Sequence, residues 1–267
     1  MPEGDTLART AAGLRPWLLD RVVTAARSRS PGPQPERIVG ATITAVEAAG
    51  KNLLLRLDNG LEIRTHLGMH GSWHRYRPGE PWRRAPSRAR LVVEVAGSVA
   101  GCFAAPTVEL FERPTGPPGP AGRGRGRPAP ARPDPDLARD DADLDEAFRR
   151  LSAPGRPALP IAEALLDQRA LAGIGNVFKN EVLWDARISP WAPVDTLDDA
   201  TLRALIFRAR ELVRVGAATG RRPRNVYRRA GRPCPRCGTP VRVAHQGRDL
   251  PRLTFWCPTC QPGPDPE

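Results

Sequence analysis

The chain has 267 residues, enough for one large domain or two to three smaller ones, and 40% of them are apolar, so a packed core is within reach. Lys and Arg number 41 against 29 Asp and Glu, a formal charge of +12 that points to a polyanionic partner such as nucleic acid or an anionic membrane. No apolar run is long enough to span a bilayer, and Asp5, Arg9, Arg15 and Asp20 interrupt any signal-like core near the start, so a cytoplasmic protein is expected.

Residues 5–20 read as an amphipathic helix. Leu7, Ala11, Leu14 and Leu18 recur at helical spacing, Asp5 or Thr6 is a candidate cap, and Pro16 predicts a kink or an early end. From residue 21 to about 112 the pattern changes to short β-rich runs at 22–23, 38–46, 53–57, 61–66, 91–95, 99–104 and 108–111, with Asp58-Asn59-Gly60 marking a hairpin. Together these predict an N-terminal β-sandwich carrying the helix, over residues 1–113. Residues 114–135 are dense in Pro, Gly and Arg and read as a linker, whose arginines at 123, 125, 127 and 132 either touch phosphates or are simply solvated.

A helical domain follows over 136–220. Acidic residues lead into helix-like sequence with Leu144, Phe148 and Leu151. Residues 161–186 predict two helices broken at Gly173-Ile174-Gly175, with Asn176 capping the second, and 197–215 predicts a long helix ending at Gly216. Residues 221–262 are basic and carry cysteines, and a disordered tail is expected over 262–267. The class is therefore α+β and multidomain.

Four features carry chemistry. Pro2 becomes a terminal secondary amine if Met1 is removed; with an α-amino pKa of roughly 8 it keeps a neutral, nucleophilic fraction near neutrality. Condensed with an aldehyde, such an amine gives only a charged iminium, an electron sink, and Glu3 beside it is a candidate acid or base. A frayed terminus would carry the same residues, so the rest of the chain has to decide.

Cys234 and Cys237, then Cys257 and Cys260, form two CxxC knuckles 19 residues apart, a separation that fits a β-hairpin from Val241 to Trp256. Four thiolates so spaced predict one structural zinc ion; a redox dithiol or unmetallated cysteines are the plainer rivals. His245 is expected to be an exposed loop residue and Cys102 a buried thiol. Gly173-Ile174-Gly175-Asn176 opens a helix with Lys179 one turn in, either a phosphate site or a capping sequence alone. Only two lysines exist, Lys51 and Lys179. In a chain where arginine has otherwise replaced lysine, a retained Lys51 marks a functional amine or an ordinary surface residue.

Taken in order, these residues resemble the formamidopyrimidine-DNA glycosylase/endonuclease VIII family. The matching segments are Pro2-Glu3-Gly4, Gly50-Lys51, Thr65-His66-Leu67-Gly68-Met69-His70-Gly71-Ser72-Trp73, residues 170–181, residues 226–234 and residues 252–261. The resemblance implies a helix–two-turns–helix region over 161–186 and a β-hairpin zinc finger that grips DNA. It implies that Pro2 attacks C1′ of a damaged nucleotide, that Glu3 serves as acid and base, and that β- and δ-elimination then cut the strand. It further implies that Lys51 contacts phosphate and assists catalysis, that Asn176 and Arg252 clamp the phosphates flanking a flipped nucleotide, and that Met69 fills the gap left in the helix. A phosphate contact is also expected of Lys179. The expected partner is damaged double-stranded DNA, met by a monomer that binds no membrane.

The start Pro2-Glu3-Gly4-Asp5 resembles the endonuclease VIII branch rather than the Pro-Glu-Leu-Pro start of the oxidised-purine enzymes, and 111–116 does not match their Arg-x-Phe loop. Oxidised pyrimidines are therefore the expected substrates. The rivals are an oxidised-purine glycosylase, a zinc-finger protein that binds abasic or damaged DNA without catalysis, and a zinc-ribbon RNA-binding protein. The last leaves Pro2-Glu3 and the Gly-Ile-Gly-Asn turn unexplained.

Overall fold

The computed structural model describes residues 2–29, 34–113, 134–153, 159–247 and 251–266. The expected linker arginines lie outside the described residues. The chain divides into two compact units, Met1–Pro133 and Asp134–Glu267.

Unit 1 begins with α1 (Gly4–Leu18), whose Leu7, Ala11, Leu14 and Leu18 are all buried. Each leucine contributes about 2 kcal/mol by leaving water. The cap lies earlier than expected. Glu3 is the N-cap residue, its carbonyl accepting from the Thr6 and Leu7 amides at 2.9 and 3.2 Å, while Asp5 and Thr6 are inside the helix. Pro16 lies inside the helix, where it leaves the Ala12 carbonyl without its i→i−4 donor; the helix ends two residues later, and Arg15 anchors that end through hydrogen bonds to the Val46 carbonyl at 3.0 and 3.3 Å.

Eight strands follow: β1 (Val23–Ser28), β2 (Ile43–Ala49), β3 (Asn52–Leu57), β4 (Leu61–His66), β5 (Ser72–Tyr76), β6 (Ala89–Val95), β7 (Ser98–Phe103) and β8 (Thr107–Glu112). They form two antiparallel sheets, ordered β1-β6-β7-β5 and β2-β3-β4-β8. Inward side chains of both sheets, among them Ile43, Leu53, Leu55, Leu91 and Val93, share one core with α1. The expected strand over 38–46 is shorter. Residues Pro35–Ile38 form a 3-10 turn, and Gly40, at φ +86°, reverses the chain before β2 can start. Strand β5 was not expected at all. Trp73 faces the sandwich core and Tyr76 is buried in a separate cluster, while Ser72, His74 and exposed Arg75 leave no apolar alternation to read.

Unit 2 contains α2 (Leu144–Leu151), α3 (Ile161–Ala164), α4 (Asn176–Ala186) and α5 (Asp199–Thr219), then the hairpin strands β9 (Arg242–Gln246) and β10 (Arg252–Trp256). One core joins Phe148, Leu165, Leu171, Phe178, Leu183, Leu205 and Val213; a second, under the hairpin, joins Trp184, Val226, Val241 and Phe255. Two boundaries differ from expectation. Gly175, not Asn176, is the N-cap of α4, and α5 passes Gly216 to end at Gly220. Asp198 sets the start of α5 by accepting from the Thr201 amide at 2.7 Å. The tail over 262–266 is packed rather than disordered. Ser189 Oγ donates to the Pro264 carbonyl at 2.6 Å, and Trp256 Nε1 and Arg242 both donate to the Asp265 carboxylate, at 2.9 and 2.8 Å.

Candidate functional site

In unit 1 the side chains of interest hang on α1 and on two tight connections. Pro2 is half-buried and immediately precedes Glu3, which is fully buried at 0% exposure. As N-cap residue Glu3 stands at the N-terminal end of α1. Lys51 occupies the turn between β2 and β3, the two strands against which α1 packs. It lies near enough to His66, the last residue of β4, for its charge to add to burial in holding that imidazole below its ordinary value. Neutral His66 accepts from the Gly68 amide at Nδ1, 3.2 Å away, which leaves Nε2 as the protonated nitrogen.

That hydrogen bond ties His66 to the loop that carries Met69. The loop is closed by the Gly71 amide donating to the Leu67 carbonyl at 2.8 Å. It tolerates no side chain at either glycine. A Cβ at Gly71 would collide with the Leu67 carbonyl oxygen, and one at Gly68 would stand 2.8 Å from the Pro106 ring. Met69 is consequently held out at 60% exposure, an apolar side chain placed in water by a rigid turn and not a core residue. His70 beside it is exposed.

In unit 2 the start of α4 and the β9–β10 hairpin are joined by buried polar side chains. Asn176, 8% exposed, donates from Nδ2 to the Leu253 carbonyl at 2.8 Å, which places it beside β10 and its first residue, exposed Arg252. Its Oδ1 is buried without a hydrogen-bond partner. Asn180 accepts from the Phe255 amide at 2.7 Å. Lys179 corrects its expectation as a phosphate contact. It is 1% exposed, and its Nζ donates to Thr254 Oγ1 at 2.7 Å; Thr254 in turn donates to Gln246 Oε1 at 2.9 Å. The face of α4 that bears Asn176, Lys179, Asn180 and Trp184 packs on the hairpin, so a cation there is satisfied internally.

Glu181 was missed by sequence reasoning. Its buried carboxylate accepts from the amides of Asn225, Val226 and Tyr227 and from Asn225 Nδ2, all at 2.9–3.0 Å, and so fixes the chain entering the cysteine region. Only its place in the segment 170–181 hinted at a role, because its partners lie 44–46 residues away.

The four cysteine Sγ atoms lie within 4.8 Å of one another; the shortest separations are 3.4 Å for Cys237–Cys257 and 3.9 Å for Cys234–Cys260. This fits a single metal ion. Four thiolates so close repel one another unless a cation lies between them: hydrogen bonds from Thr239 pull Cys237 down to about 6, while burial and the neighbouring cysteines push Cys260 up to about 12. A bound dication would take all four as thiolates. Trp184 Nε1 donates to Cys234 Sγ at 3.4 Å, an outer contact that orients the ligand. His245 is exposed and outside the cluster. Cys102 is buried in β7 and pushed up to about 12 by that burial, an inert thiol.

Comparison with known proteins places this arrangement. Residues 1–106 match the formamidopyrimidine-DNA glycosylase N-terminal domain and residues 133–225 the formamidopyrimidine-DNA glycosylase H2TH domain. A probable endonuclease 8 2 of Streptomyces coelicolor is 38% identical, over 100% of this chain and 96% of its own. The DNA-(apurinic or apyrimidinic site) lyase Nei2 of Mycolicibacterium smegmatis is 37% identical, over 98% and 99%. The crystal structure of the MutM (Fpg) protein of Thermus thermophilus superposes with a TM-score of 0.76 at 29% identity, covering 98% of this chain and 100% of that one. Among the described residues no helix is long and apolar enough to cross a membrane. With both family domains matched in order, and relatives aligned from end to end, the chain belongs to the formamidopyrimidine-DNA glycosylase/endonuclease VIII family.

Proposed function

We propose that the chain excises oxidised bases, pyrimidines foremost, from damaged double-stranded DNA and cuts the strand through a proline iminium. Membership of the family makes it a DNA-repair glycosylase and AP lyase. The proposal concerns which residues do this and on what. The observation that carries it is the fully buried Glu3 carboxyl at the N-cap of α1, one residue after Pro2. A buried acid next to a terminal amine has no use in a protein that only binds.

In this mechanism Met1 is removed and the Pro2 nitrogen attacks C1′ of a nucleotide rotated out of the stack. The base leaves with the electron pair of its glycosidic bond. Glu3 protonates the sugar ring oxygen as the ring opens, giving a C1′ iminium, and then acts as base. Loss of a C2′ proton expels the 3′ phosphate, and a second elimination expels the 5′ phosphate. Lys51, beside neutral His66, contacts phosphate near the sugar, and exposed Met69 fills the vacated stack. Asn176 and Arg252 hold the flanking phosphates. Residues 1–113 would supply the chemistry, and 136–220 and 221–262 the grip.

The metal is proposed to be one zinc ion on Cys234, Cys237, Cys257 and Cys260. A tetrahedron with Zn–S bonds of about 2.3 Å has S–S edges of about 3.8 Å, close to the separations found here. When bound it supplies structural bonding and no chemistry. The preference for oxidised pyrimidines is supported by the Pro2-Glu3-Gly4-Asp5 start and by the endonuclease 8 relative. The protein is proposed to act as a cytoplasmic monomer.

Borohydride trapping on a duplex with an abasic site tests the mechanism. A covalent adduct mapped by mass to Pro2 is expected. Tight binding with Met1 absent and no adduct would favour a protein that recognises damage without catalysis.

A further inference from the structure

The outer face of the sheet β1-β6-β7-β5, turned away from the sandwich core, carries a groove of about 470 Å³ that none of the chemistry above uses. Such a volume lies within the range of about 300–1,000 Å³ usual for ligand sites. Ala89 and Val92 of β6 form its floor, Trp82 and Pro86 of the β5–β6 loop its wall, and Arg27 of β1 and Arg29, just past the end of that strand, complete the lining. Arg27 lies opposite Val92 across the sheet, so both project from one face, and the Arg29 amide donates to the Arg90 carbonyl at 3.1 Å, which holds Arg29 beside the same strand.

Trp82 is a rigid platform. Its indole stacks on Tyr76 with centroids 5.5 Å apart and planes 9° apart, and it meets Phe103 edge to face at 5.5 Å. Tyr76 backs one face of the ring while the indole lines the groove. The surroundings are strongly cationic. Arg83 and Arg84 follow Trp82 directly, and both act on His74 of β5 by their charge. The acid in contact with the lining arginines is Glu94, paired with Arg27 at 2.5 Å. Arg27 is exposed and Glu94 half-buried, so the pair is worth little in water and the guanidinium can turn to a phosphate.

A flat aromatic wall, an apolar floor and two exposed arginines two residues apart match the chemistry of an unpaired base with its flanking phosphates. A protein ligand would need no run of cations beside the ring, and a membrane surface would not need the enclosed wall. We propose that this groove is an accessory site for single-stranded DNA, in which a base stacks on Trp82 and the adjoining phosphates lie on Arg27 and Arg29. The site is separate from Pro2 and Glu3 on α1 and from Lys51 in the β2–β3 turn.

A short fluorescent oligothymidylate, titrated onto the full chain at low salt and read by anisotropy, tests this. A saturating duplex with a non-cleavable abasic analogue is then added to occupy the lesion site. Binding of the oligonucleotide should survive the duplex. Arg27→Ala with Arg29→Ala should weaken it about tenfold, as should Trp82→Ala, with abasic-site trapping unchanged. Trp82 packs on two aromatic rings, so the exposed arginine pair is the variant that leaves the packing intact. Unchanged affinity in the arginine double variant would overturn the proposal, and so would displacement of the oligonucleotide by the duplex. Wild-type affinity in Trp82→Ala, with inorganic polyphosphate competing fully, would reduce the groove to a plain cationic patch and also overturn it. A duplex that fails to bind at all speaks against the proposed function, while the titration without duplex still reads the groove.

Discussion

Glu3 shows how much one residue can depend on where the chain puts it. Its backbone carbonyl is committed to capping α1 and its side chain is withdrawn from water, so the carboxyl is held one residue from the Pro2 nitrogen. Replacing it by Gln keeps volume and hydrogen-bonding capacity and removes the proton that must be given and taken. Glu3→Gln should therefore slow base release by about 100-fold or more in single-turnover assays. Affinity for a lesion duplex should change only a few-fold, because the residue is buried and makes no large contribution to a phosphate grip. Base release at the wild-type rate would remove Glu3 from the mechanism. Lys179 is the opposite case. Its sequence position suggested a cation for DNA, yet its ammonium is buried on Thr254 and serves the fold.

Among the elements, the β9–β10 hairpin depends most on something outside the polypeptide. Its core is small, and its cysteines flank the strands, Cys234 and Cys237 before β9 and Cys257 and Cys260 after β10. In such small modules, binding of zinc, worth about 10–16 kcal/mol, is the folding energy itself. Removing the metal should release β10 from α4, and with it Arg252 and the Leu253 carbonyl that Asn176 grips. Cys257→Ser is thus expected to abolish the one zinc per chain measured by elemental analysis and to weaken lesion-duplex binding by more than about tenfold. A metal-free variant with full affinity would contradict the assignment. The hairpin was also the part most legible in the sequence, because ligand spacing is a local constraint that thiolate geometry imposes directly. The helix α1 and strands β3 and β4 were legible for a related reason: their apolar periodicity is written in consecutive residues. Strand β5 was not, since Ser72, His74 and Arg75 leave it without an apolar alternation. Nor was Glu181, whose partners are backbone amides far along the chain and leave no mark on composition or pattern. The candidate site shares this division. Pro2, Glu3 and the cysteines announce themselves by residue type, whereas the exposure of Met69 and the proximity of Lys51 to His66 emerge only once loops are closed by tertiary contacts.

At the scale of the whole molecule, the +12 charge draws the protein to DNA, but the number of phosphate contacts governs how binding responds to salt. Each cation that neutralises a phosphate releases counterions, so the logarithm of affinity falls linearly with the logarithm of salt concentration, with a slope of about −0.9 per phosphate contacted in duplex DNA. Charge that merely decorates the surface shifts net charge but leaves this slope alone. Arg252 is exposed at the start of β10, the strand whose next carbonyl holds Asn176, so a direct phosphate contact predicts a specific loss. Arg252→Ala should reduce the steepness of the salt dependence by about one and weaken binding equally for different lesions. The Arg27→Ala and Arg29→Ala pair removes twice the charge from the outer sheet face and should leave the slope for a lesion duplex unchanged. Duplex affinities measured across a salt series for both variants separate contact from decoration. An unchanged slope in Arg252→Ala would remove that residue from the interface, and a shallower slope in the arginine pair would place the outer face of the sheet on the duplex instead of on single strands.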